Sequence, residues 1–431
     1  MSGAAVLALY DVVMRLAGPL LRLRLARRAR AEPGYGEAVR ERFGVYAGAP
    51  TAGCIWIHAV SYGEVRAAGP LVAEVRRRWP GATLLFTHGT ATGRAEGARL
   101  MQPGDAQVWL PWDTAGAVSA FLRHHQPRLG ILVETEVWPR LAASCRAQGV
   151  PLVLVNARLS ERSLARSRRL SMLALPAYAA LAAVYAQSEA DAANLRALGA
   201  PVAGVFGNLK FDMAPDPHQR EVGRRWSEAH PEKPVVLLAS SREGEEALWL
   251  DALADTAPAA RDAVQWLVVP RHPQRFDEVA QAIRARGFEV SRRSTWGPEG
   301  PPAAGGTNTI WLGDSMGEMA LYYSLARVAL LGGSFAPLGG QNLIEAAACA
   351  CPVVMGPHTF NFREAAEQSI AAGAAWRAAD LPGAVRAALA LVTNPVAQAE
   401  AGQAGLRFAS QHRGAAVRTA DALLQRDFLK P

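Results

Sequence analysis

Short runs of apolar residues alternate along most of the chain with longer stretches in which apolar and polar residues are mixed. Each run has the length of a buried strand, and each mixed stretch, rich in Ala, Leu and Arg, suits a helix. Because the runs are continuously apolar, the pattern predicts parallel sheets covered on both faces. The predicted strands are 54–60, 82–87, 107–110, 129–134, 151–156 and 184–187, then 235–240, 265–270, 309–312, 328–333 and 352–356.

The strand–helix alternation pauses once, in a polar, proline-containing stretch from Met213 to Pro234, and then restarts. A chain of 431 residues is too long for one ordinary core. We therefore predict an α/β protein with two Rossmann-like domains facing across a cleft, at residues 31–213 and 214–431. Ligands of such sheets bind beyond the carboxyl ends of the strands, so the informative residues should directly follow the apolar runs.

The first 30 residues form a third predicted segment, apolar at first and basic afterwards. Asp11, Arg15 and Pro19 interrupt the apolar part, so it is not a clean membrane span, and no basic region precedes it as in a signal peptide. We predict a helix lying on an anionic membrane surface; the alternatives are an ordinary first helix with a solvated basic end and a single short span. The basic cluster is Arg22, Arg24, Arg27, Arg28 and Arg30.

The net charge of +8 favours acidic partners such as nucleic acid, anionic lipid or phosphorylated substrates. Nearly all of the positive charge is arginine, which genome composition explains equally well. The four cysteines form no C-x-x-C pair, and no His/Cys cluster has zinc spacing. The sequence also lacks a Walker loop, a strong dinucleotide fingerprint, a Ser or Cys triad and an Asp-x-Asp motif.

Glu64 is the first candidate for chemistry, because it follows the strand 54–60 and opens a predicted helix. It lies three residues after Ser61, which is the spacing of a capping box. The alternatives are a structural cap and a base that accepts a proton from a hydroxyl. Since a helix N-terminus stabilises negative charge, we expect Glu64 to be ionised at neutral pH.

Two further candidates of the first domain are Glu134 and Lys210. Glu134 and Glu136 directly follow an apolar strand, where carboxylates are costly unless they are paired or functional; a structural salt bridge is the alternative. Lys210 lies near the predicted domain boundary, where it suits a phosphate; its alternative is an ion pair with Asp212.

The second domain repeats the pattern of polar residues after strands. Arg271 and His272 lie between two prolines, a rigid turn that suits an anion or a base edge, and Glu318 lies at the cap spacing from Ser315. The longest motif has two glycine pairs, 332–333 and 339–340, and then Asn342 with Glu345 three residues on. The alternatives for this motif are a capping box and a phosphate site at a helix N-terminus.

In order and spacing, these motifs resemble those of the Kdo (3-deoxy-D-manno-octulosonic acid) transferases of lipopolysaccharide synthesis. The resemblance implies a GT-B fold and a place on the cytoplasmic face of the bacterial inner membrane. It implies inverting transfer of Kdo from CMP-Kdo to the 6′-hydroxyl of the tetraacyl lipid A precursor, with no metal, cofactor or nucleic acid, and leaves the number of Kdo units open. The segments are HAVSYGE (58–64), ETEVWPRL (134–141), NARLSERS (156–163), GNLKFD (207–212), VPRHPQRF (269–276), LGDSMGEM (312–319) and GGQNLIEAA (339–347).

The resemblance also implies residue roles. Glu64 matches the family's proton acceptor, and Glu134 and Lys210 match its transition-state stabilisers. The sequence departs from the family pattern at Gln341 and Leu343, where His and Pro are common, and at Tyr62, where a smaller residue is usual. The positions that match the CMP-binding segments are Pro270, Arg271, Met316, Gly317, Glu318, Asn342, Leu343, Ile344 and Glu345.

Two alternative functions stay open at this point. A sugar-nucleotide epimerase on the same fold would act on a nucleotide sugar without a lipid acceptor, and would not need the apolar, basic N-terminus. A non-catalytic membrane lipid-binding protein would have no use for a nucleotide at residues 339–345. Binding of CMP and transfer to a lipid acceptor distinguish these alternatives from the transferase.

Overall fold

The computed structural model describes residues 3–231, 233–301, 308–426 and 428. The chain forms two compact units, one containing residues 1–213 and 413–431 and the other containing residues 214–412. Helices and parallel strands alternate within each unit.

The described part of the first unit contains a seven-stranded parallel sheet with the order β3-β2-β1-β4-β5-β6-β7. Its strands are β1 (Ile55–His58), β2 (Leu84–His88), β3 (Ala106–Trp109), β4 (Leu129–Val133), β5 (Leu152–Ala157), β6 (Ala183–Ala186) and β7 (Val202–Val205). Its helices are α1 (Gly3–Leu16), α2 (Gly18–Ala31), α3 (Tyr62–Arg78), α4 (Ala91–Ala98), α5 (Ala115–His125), α6 (Pro139–Ala147), α7 (Glu161–Arg169), α8 (Ser171–Ala179) and α9 (Glu189–Arg196).

The described part of the second unit has a parallel sheet of the same size with the order β10-β11-β9-β8-β12-β13-β14. Its strands are β8 (Val235–Ser241), β9 (Gln265–Pro270), β10 (Glu289–Arg292), β11 (Thr309–Leu312), β12 (Ala326–Leu331), β13 (Val353–Met355) and β14 (Ala375–Arg377). Its helices are α10 (Pro217–Ala229), α11 (Glu245–Ala254), α12 (Pro258–Asp262), α13 (Phe276–Ala285), α14 (Met319–Leu325), α15 (Ile344–Ala348), α16 (Arg363–Ala371), α17 (Leu381–Val392) and α18 (Pro395–Gln411).

The continuous apolar runs are strands buried on both faces, as predicted. In β1, Trp56 belongs to one hydrophobic cluster of the first unit, whereas Ile55 and Ile57 belong to another. Successive side chains of a strand point to opposite faces, so a strand covered by helices on both sides must be apolar at every position. Each such strand then ends in polar residues at the carboxyl edge of its sheet.

The apolar pattern did not predict three strands, β7, β10 and β14. All three are edge strands of their sheets, and they are short. The residues of β7 are half-buried or exposed, and β10 has the polar sequence EVSR. An edge strand is covered less than a central one, so its sequence lacks the continuous apolar run on which the prediction depended.

The prediction assigned residues 214–431 to one domain, and its last part is wrong. Residues 413–431 belong to the first unit, where α19 (Ala415–Gln425) packs against α3. Asp212 fixes the start of this helix, because its carboxylate accepts the N–H groups of Gly414 at 2.5 Å and Ala416 at 2.6 Å. Ala416 and Leu423 are buried in the core of the first unit.

The N-terminal segment forms two helices, α1 and α2, and Asp11 of α1 faces the interior of the protein. The Asp11 carboxylate is buried, pairs with Arg140 and accepts the N–H of Ala115, while the Tyr10 hydroxyl donates to Asp113. The opposite side of the segment is apolar and exposed, at Leu9, Val12, Val13, Leu16, Leu20 and Leu23. No helix in the described part of the chain has both the length and the apolar composition of a membrane span.

Candidate active site

Glu64 lies in the first turn of α3, the helix that follows β1 at the carboxyl edge of the first sheet. Ser61 caps α3, its Oγ accepting the Glu64 N–H at 3.4 Å. The Glu64 carboxylate in turn accepts the Val60 N–H at 2.8 Å and the Ser61 hydroxyl at 3.1 Å. The structural cap is thus real, and it fixes the orientation of the carboxylate.

The environment of Glu64 raises its pKa to about 7. Burial is the largest cause, followed by the negative charge of Glu134, whereas the hydrogen bonds from Val60 and Ser61 act in the opposite direction. At neutral pH Glu64 is therefore only partly ionised, and not fully as expected, because desolvation and a second carboxylate outweigh the helix N-terminus. A pKa near the working pH is the one that suits a proton acceptor.

Glu134 directly follows β4 and has a strained backbone. Its φ is +67°, in the left-handed region that non-glycine residues rarely occupy. Two hydrogen bonds to the neighbouring β5 segment hold it there, from the Glu134 N–H to the Val155 carbonyl and from the Arg158 N–H to the Glu134 carbonyl. Strain of this kind is found at functional sites more often than elsewhere.

Lys210 meets Glu134 in an ion pair, with 3.0 Å between Nζ and Oε1. Its alternative partner, Asp212, instead binds the start of α19, so that pairing is wrong. A 3₁₀ turn, Leu209–Asp212, carries the lysine. The Asn156 side chain fixes this turn by accepting the Leu209 N–H at 3.0 Å.

The order of the strands explains why Glu64 and Glu134 come together. Strands β1 and β4 are neighbours, with Ile57 paired to Ile131, and the strand order reverses between them. In sheets of this type, ligands bind at such a reversal, beyond the carboxyl ends of the two strands. Glu64 follows one of these strands and Glu134 follows the other, so the two carboxylates flank the expected ligand position of the first unit.

Glu136 does not belong to the ion pair with Lys210. Its carboxylate accepts the indole N–H of Trp138 at 2.7 Å, and burial raises its pKa. Glu136 is nonetheless one of the charges that raise the pKa of Glu64. It therefore contributes to the electrostatics of the site.

In the second unit, the turn after β9 carries Pro270 and Arg271. Pro270 is buried at the end of the strand, and the Arg271 N–H donates to the Ser241 carbonyl at the end of β8 at 2.9 Å. Burial, Arg242 and Arg271 lower the pKa of the neighbouring His272. This edge is accordingly basic through arginine.

The segment after β11 carries Met316, Gly317 and Glu318. Met316 is exposed, and Gly317 has a φ of +79°, a conformation that favours glycine. Glu318 forms an ion pair with Arg293 at 2.9 Å and accepts the Ser315 hydroxyl. The capping box expected for this segment does not form, because α14 starts at Met319 and Glu318 precedes it.

The glycine-rich segment after β12 also differs from a capping box. Helix α15 starts at Ile344, so Asn342 lies one residue before the cap position; its Oδ1 accepts the Ile344 N–H at 3.1 Å. The side chains of Leu343 and Ile344 are buried, so only their backbones can face a ligand. Glu345 is half-buried in the first turn of the helix.

Two carboxylates of the second unit escaped the sequence reasoning, although a signal for them exists. Glu245 and Glu246 follow β8 in the sequence SREGEE, the same succession of apolar strand and acidic residues as in LVETE. Both are buried. In the described residues, no cluster of three or more His, Cys, Asp or Glu side chains has the arrangement of a metal site.

Two known proteins are similar to this chain over 96% of its length. Residues 37–213 match a family model described as 3-deoxy-D-manno-octulosonic-acid transferase (kdotransferase). A 3-deoxy-D-manno-octulosonic acid transferase of Bordetella pertussis is 46% identical over 427 residues, which are 96% of this chain and 98% of that protein. The protein of the same name from Haemophilus influenzae is 31% identical over 421 residues, 96% of this chain and 97% of its own.

Similarity to solved structures concerns the fold alone. The UDP-GlcNAc 2-epimerase of Neisseria meningitidis, bound to UDP-GlcNAc, superposes with a TM-score of 0.57 at 13% identity, over 86% of this chain and 99% of its own. The predicted fold class, a GT-B fold with two Rossmann-like domains, is confirmed. The epimerase shares the fold but only 13% of the sequence, whereas the two transferases are 46% and 31% identical over 96% of the chain. The chain therefore belongs to the family of 3-deoxy-D-manno-octulosonic acid transferases and is a glycosyltransferase.

Proposed function

We propose that the protein transfers Kdo from CMP-Kdo to the 6′-hydroxyl of the tetraacyl lipid A precursor, with inversion at the anomeric carbon and with Glu64 as the proton acceptor. The observation that carries this proposal is the Glu64 carboxyl, which has a pKa of about 7 and lies at the strand-order reversal of the first unit. The relatives bear the name of Kdo transferases; the donor, the acceptor and the stereochemistry are the proposed part.

In the proposed step, the acceptor oxygen attacks the anomeric carbon of Kdo from the face opposite to the phosphate. The bond from this carbon to the phosphate oxygen breaks, and CMP leaves with the bonding electrons. The hydroxyl proton passes to Glu64, whose carboxylate is held by Val60 and Ser61. With its pKa of about 7, Glu64 is available in its basic form near neutral pH.

Glu134 and Lys210 stabilise the transition state in this proposal. The ion pair at 3.0 Å keeps the ammonium group of Lys210 in place before the substrate arrives. A preorganised cation stabilises the negative charge that develops on a leaving phosphate. Backbone hydrogen bonds hold Glu134 in its strained conformation, so its carboxylate is a fixed partner for Lys210. The negative charge of the same carboxylate raises the pKa of Glu64.

CMP is assigned to the carboxyl edge of the second sheet. The segments concerned follow β9, β11 and β12, the side where parallel sheets bind ligands. Arg271 supplies positive charge, and Gly317 with a φ of +79° permits close approach of the backbone. The assigned residues are Pro270, Arg271, Met316, Gly317, Glu318, Asn342, Leu343, Ile344 and Glu345.

An anionic membrane surface on the cytoplasmic side of the inner membrane is the proposed location of the reaction. Helix α1 buries Asp11 and exposes its apolar side, an arrangement that suits contact with lipid. The arginines of α2 are exposed beside it, and α8, which packs against α1, adds exposed Leu170, Met172 and Leu175. A lipid acceptor would then be taken directly from the membrane.

The central experiment incubates the purified protein with CMP-Kdo and the tetraacyl lipid A precursor and determines the product by mass spectrometry. We expect a mass increase of one or more Kdo units, which requires both substrates. Consumption of CMP-Kdo alone, without a modified lipid, would instead support the epimerase alternative. Absence of both CMP binding and transfer would support the lipid-binding alternative.

Membrane contact is tested separately by flotation with liposomes that contain anionic lipid. We expect Leu16→Asp combined with Leu20→Asp to lower the bound fraction strongly, because both side chains belong to the exposed apolar side. Val396→Asp is the matched control, since Val396 is equally exposed but lies in α18 of the second unit. Equal binding of all three proteins would contradict the proposed surface.

A further inference from the structure

Helix α11 starts with two consecutive glutamates, Glu245 and Glu246. Their carboxylates bind the segments after β12 and β9, the two strands that flank β8, and both segments are assigned to CMP. Glu245 is fully buried, and Glu246 is 3% exposed. Burial of a charged group is costly unless hydrogen bonds satisfy it. Their partners therefore show what the two carboxylates hold in place.

Glu245 accepts four backbone N–H groups from two separate segments. Oε2 accepts from Arg242 at 2.9 Å and from Gly333 at 2.6 Å, and Oε1 accepts from Phe335 at 3.0 Å and Ala336 at 3.3 Å. Arg242 follows β8, and the other three follow β12. The strand order of the second sheet reverses between these two strands, so the Glu245 side chain bridges the reversal.

The bridge extends to the segment assigned to CMP. Gly333, whose N–H binds Glu245, has a carbonyl that accepts the Gly340 N–H at 2.7 Å. Gly340 directly precedes Gln341 and Asn342. Both glycines have a positive φ, +68° and +76°, so a loop built on them has little stiffness of its own. Glu245 supplies the fixed point from which residues 341–345 start.

Glu246 plays the equivalent part for the turn after β9. Its carboxylate accepts two N–H groups of the Arg275 guanidinium, at 2.8 and 3.1 Å, and the Ser241 hydroxyl at 2.7 Å. The Ser241 carbonyl accepts the Arg271 N–H. A bidentate arginine–carboxylate pair is geometrically specific, so Glu246 holds the turn at both Arg271 and Arg275.

We infer that Glu245 and Glu246 are positioning residues for the nucleotide donor: of the three segments assigned to CMP, Glu245 fixes the one after β12 and Glu246 the one after β9, without touching the nucleotide itself. The inference rests on the proposed function, because it assumes that CMP binds these loops. It also explains why amides of the first glycine pair are not free for phosphate: the Gly333 N–H is bound to Glu245. Phosphate contacts are left to the later part of the segment.

The test compares Glu245→Gln and Glu246→Gln with the wild type in CMP affinity, KM for CMP-Kdo, KM for the acceptor, and kcat. A glutamine has one acceptor oxygen, and its amino group opposes the remaining N–H donors of the Glu245 site. We expect each variant to raise the Kd of CMP and the KM of CMP-Kdo about tenfold, with kcat reduced less than about threefold and the KM of the acceptor unchanged.

Asp105→Asn is the matched control. Asp105 accepts the backbone N–H groups of Leu84 and Gln102 and pairs with Arg76. Leu84 begins β2, so this carboxylate lies at the amino edge of the first sheet, away from the assigned sites. Its loss should lower the Tm and leave the donor constants within about twofold.

Hydrogen exchange supplies a readout that locates the effect. Glu245→Gln should accelerate exchange within residues 332–341, and Glu246→Gln within 270–276. Wild-type donor constants in both variants, an equal change in Asp105→Asn, or failure of both variants to fold would overturn the inference. Failure of the proposed function is distinguishable, because the wild type itself would then neither bind CMP nor transfer Kdo.

Discussion

The first strand–helix connections of the two units start alike and use their glutamates differently. Strand β1 leads to Glu64 in α3, and β8 leads to Glu245 in α11; both strands flank the reversal of their sheet. Glu64 accepts one backbone N–H and one hydroxyl, whereas Glu245 accepts four backbone N–H groups.

The two carboxylates differ in the hydrogen-bonding capacity that is left for a substrate. The Glu64 carboxyl is half-buried near Glu134; desolvation and this charge raise its pKa to about 7, which leaves it able to exchange a proton. The Glu245 carboxylate is fully occupied by the backbone and is completely buried. An acidic residue after a core strand therefore serves chemistry or architecture according to the number of donors that the rest of the fold directs at it.

Removal of the Glu64 carboxylate should produce the largest effect. We expect Glu64→Gln to lower kcat by about 10²–10⁴-fold, the range of a lost general base, with CMP affinity preserved. Steady-state kinetics together with CMP titration measure both quantities. Turnover close to the wild type would exclude Glu64 as the proton acceptor and would make the two connections equivalent.

Loss of the cation that pairs with Glu134 should come next. We expect Lys210→Met to lower kcat about 10²-fold, because the preorganised charge is lost. Lys210→Arg keeps the charge and should recover part of the rate. If the two variants were equally impaired, the charge of Lys210 would not be what matters.

The pH dependence of kcat/KM distinguishes a titrating glutamate from a structural one. Glu64 must be deprotonated to accept a proton, so activity should fall as the pH drops below about 7. Glu134→Gln removes the neighbouring negative charge, which lowers the pKa of Glu64 and shifts the acid limb to lower pH. Glu136→Gln should shift the limb in the same direction by less, since its charge is a smaller cause. A limb that stays in place in both variants would contradict this coupling.

Replacing Glu64 and replacing Glu245 should change the free energy of unfolding in opposite directions. The pKa of Glu64 rises on folding from an ordinary 4.5 to about 7, so its carboxyl costs stability that grows as the pH rises through this window and is absent below it. At about pH 8, the free energy of unfolding of Glu64→Gln should therefore exceed that of the wild type by about 1–3 kcal/mol. Below pH 4.5 the two proteins should be equally stable.

Glu245→Gln should lower the free energy of unfolding by about 1–3 kcal/mol, because backbone donors lose a charged acceptor. Urea titration at two pH values measures both variants. The same sign at both positions would mean that the two connections do not differ in the way that their hydrogen bonds indicate.

The sequence predicted the central strands of both sheets and the edge strand β3, and it missed the other three edge strands. Strands such as 235–240 and 265–270 were found because coverage on both faces demands apolar residues throughout. The edge strands β7, β10 and β14 are covered less, so they do not require apolar residues at every position. The helix α19 was assigned to the wrong unit because the contacts that place it, from Asp212 to Gly414 and Ala416, are distant in the sequence.

For the candidate site, the sequence predicted where the residues lie along the chain but not which side chains contact one another. That Glu64, Glu134 and Arg271 follow strand ends is evident from the apolar pattern, and Lys210 was placed only near the predicted domain boundary. That Lys210 meets Glu134 rather than Asp212 depends on Asn156, which holds the lysine's turn from 53 residues away. The helix start at Ile344 likewise differs from the one that the Asn342–Glu345 spacing predicted, because a side chain can satisfy an amide without being the cap.

By itself, the sequence determined the fold class, the family and the edge of each sheet at which a ligand is expected, because burial and strand periodicity depend on the order of residues. Only the tertiary structure decided which carboxylates titrate and which hold loops. Burial, neighbouring charge and the number of N–H donors around a carboxylate are set by segments far apart in the chain. Glu64 and Glu245 follow strands in the same manner and acquire different properties from those segments.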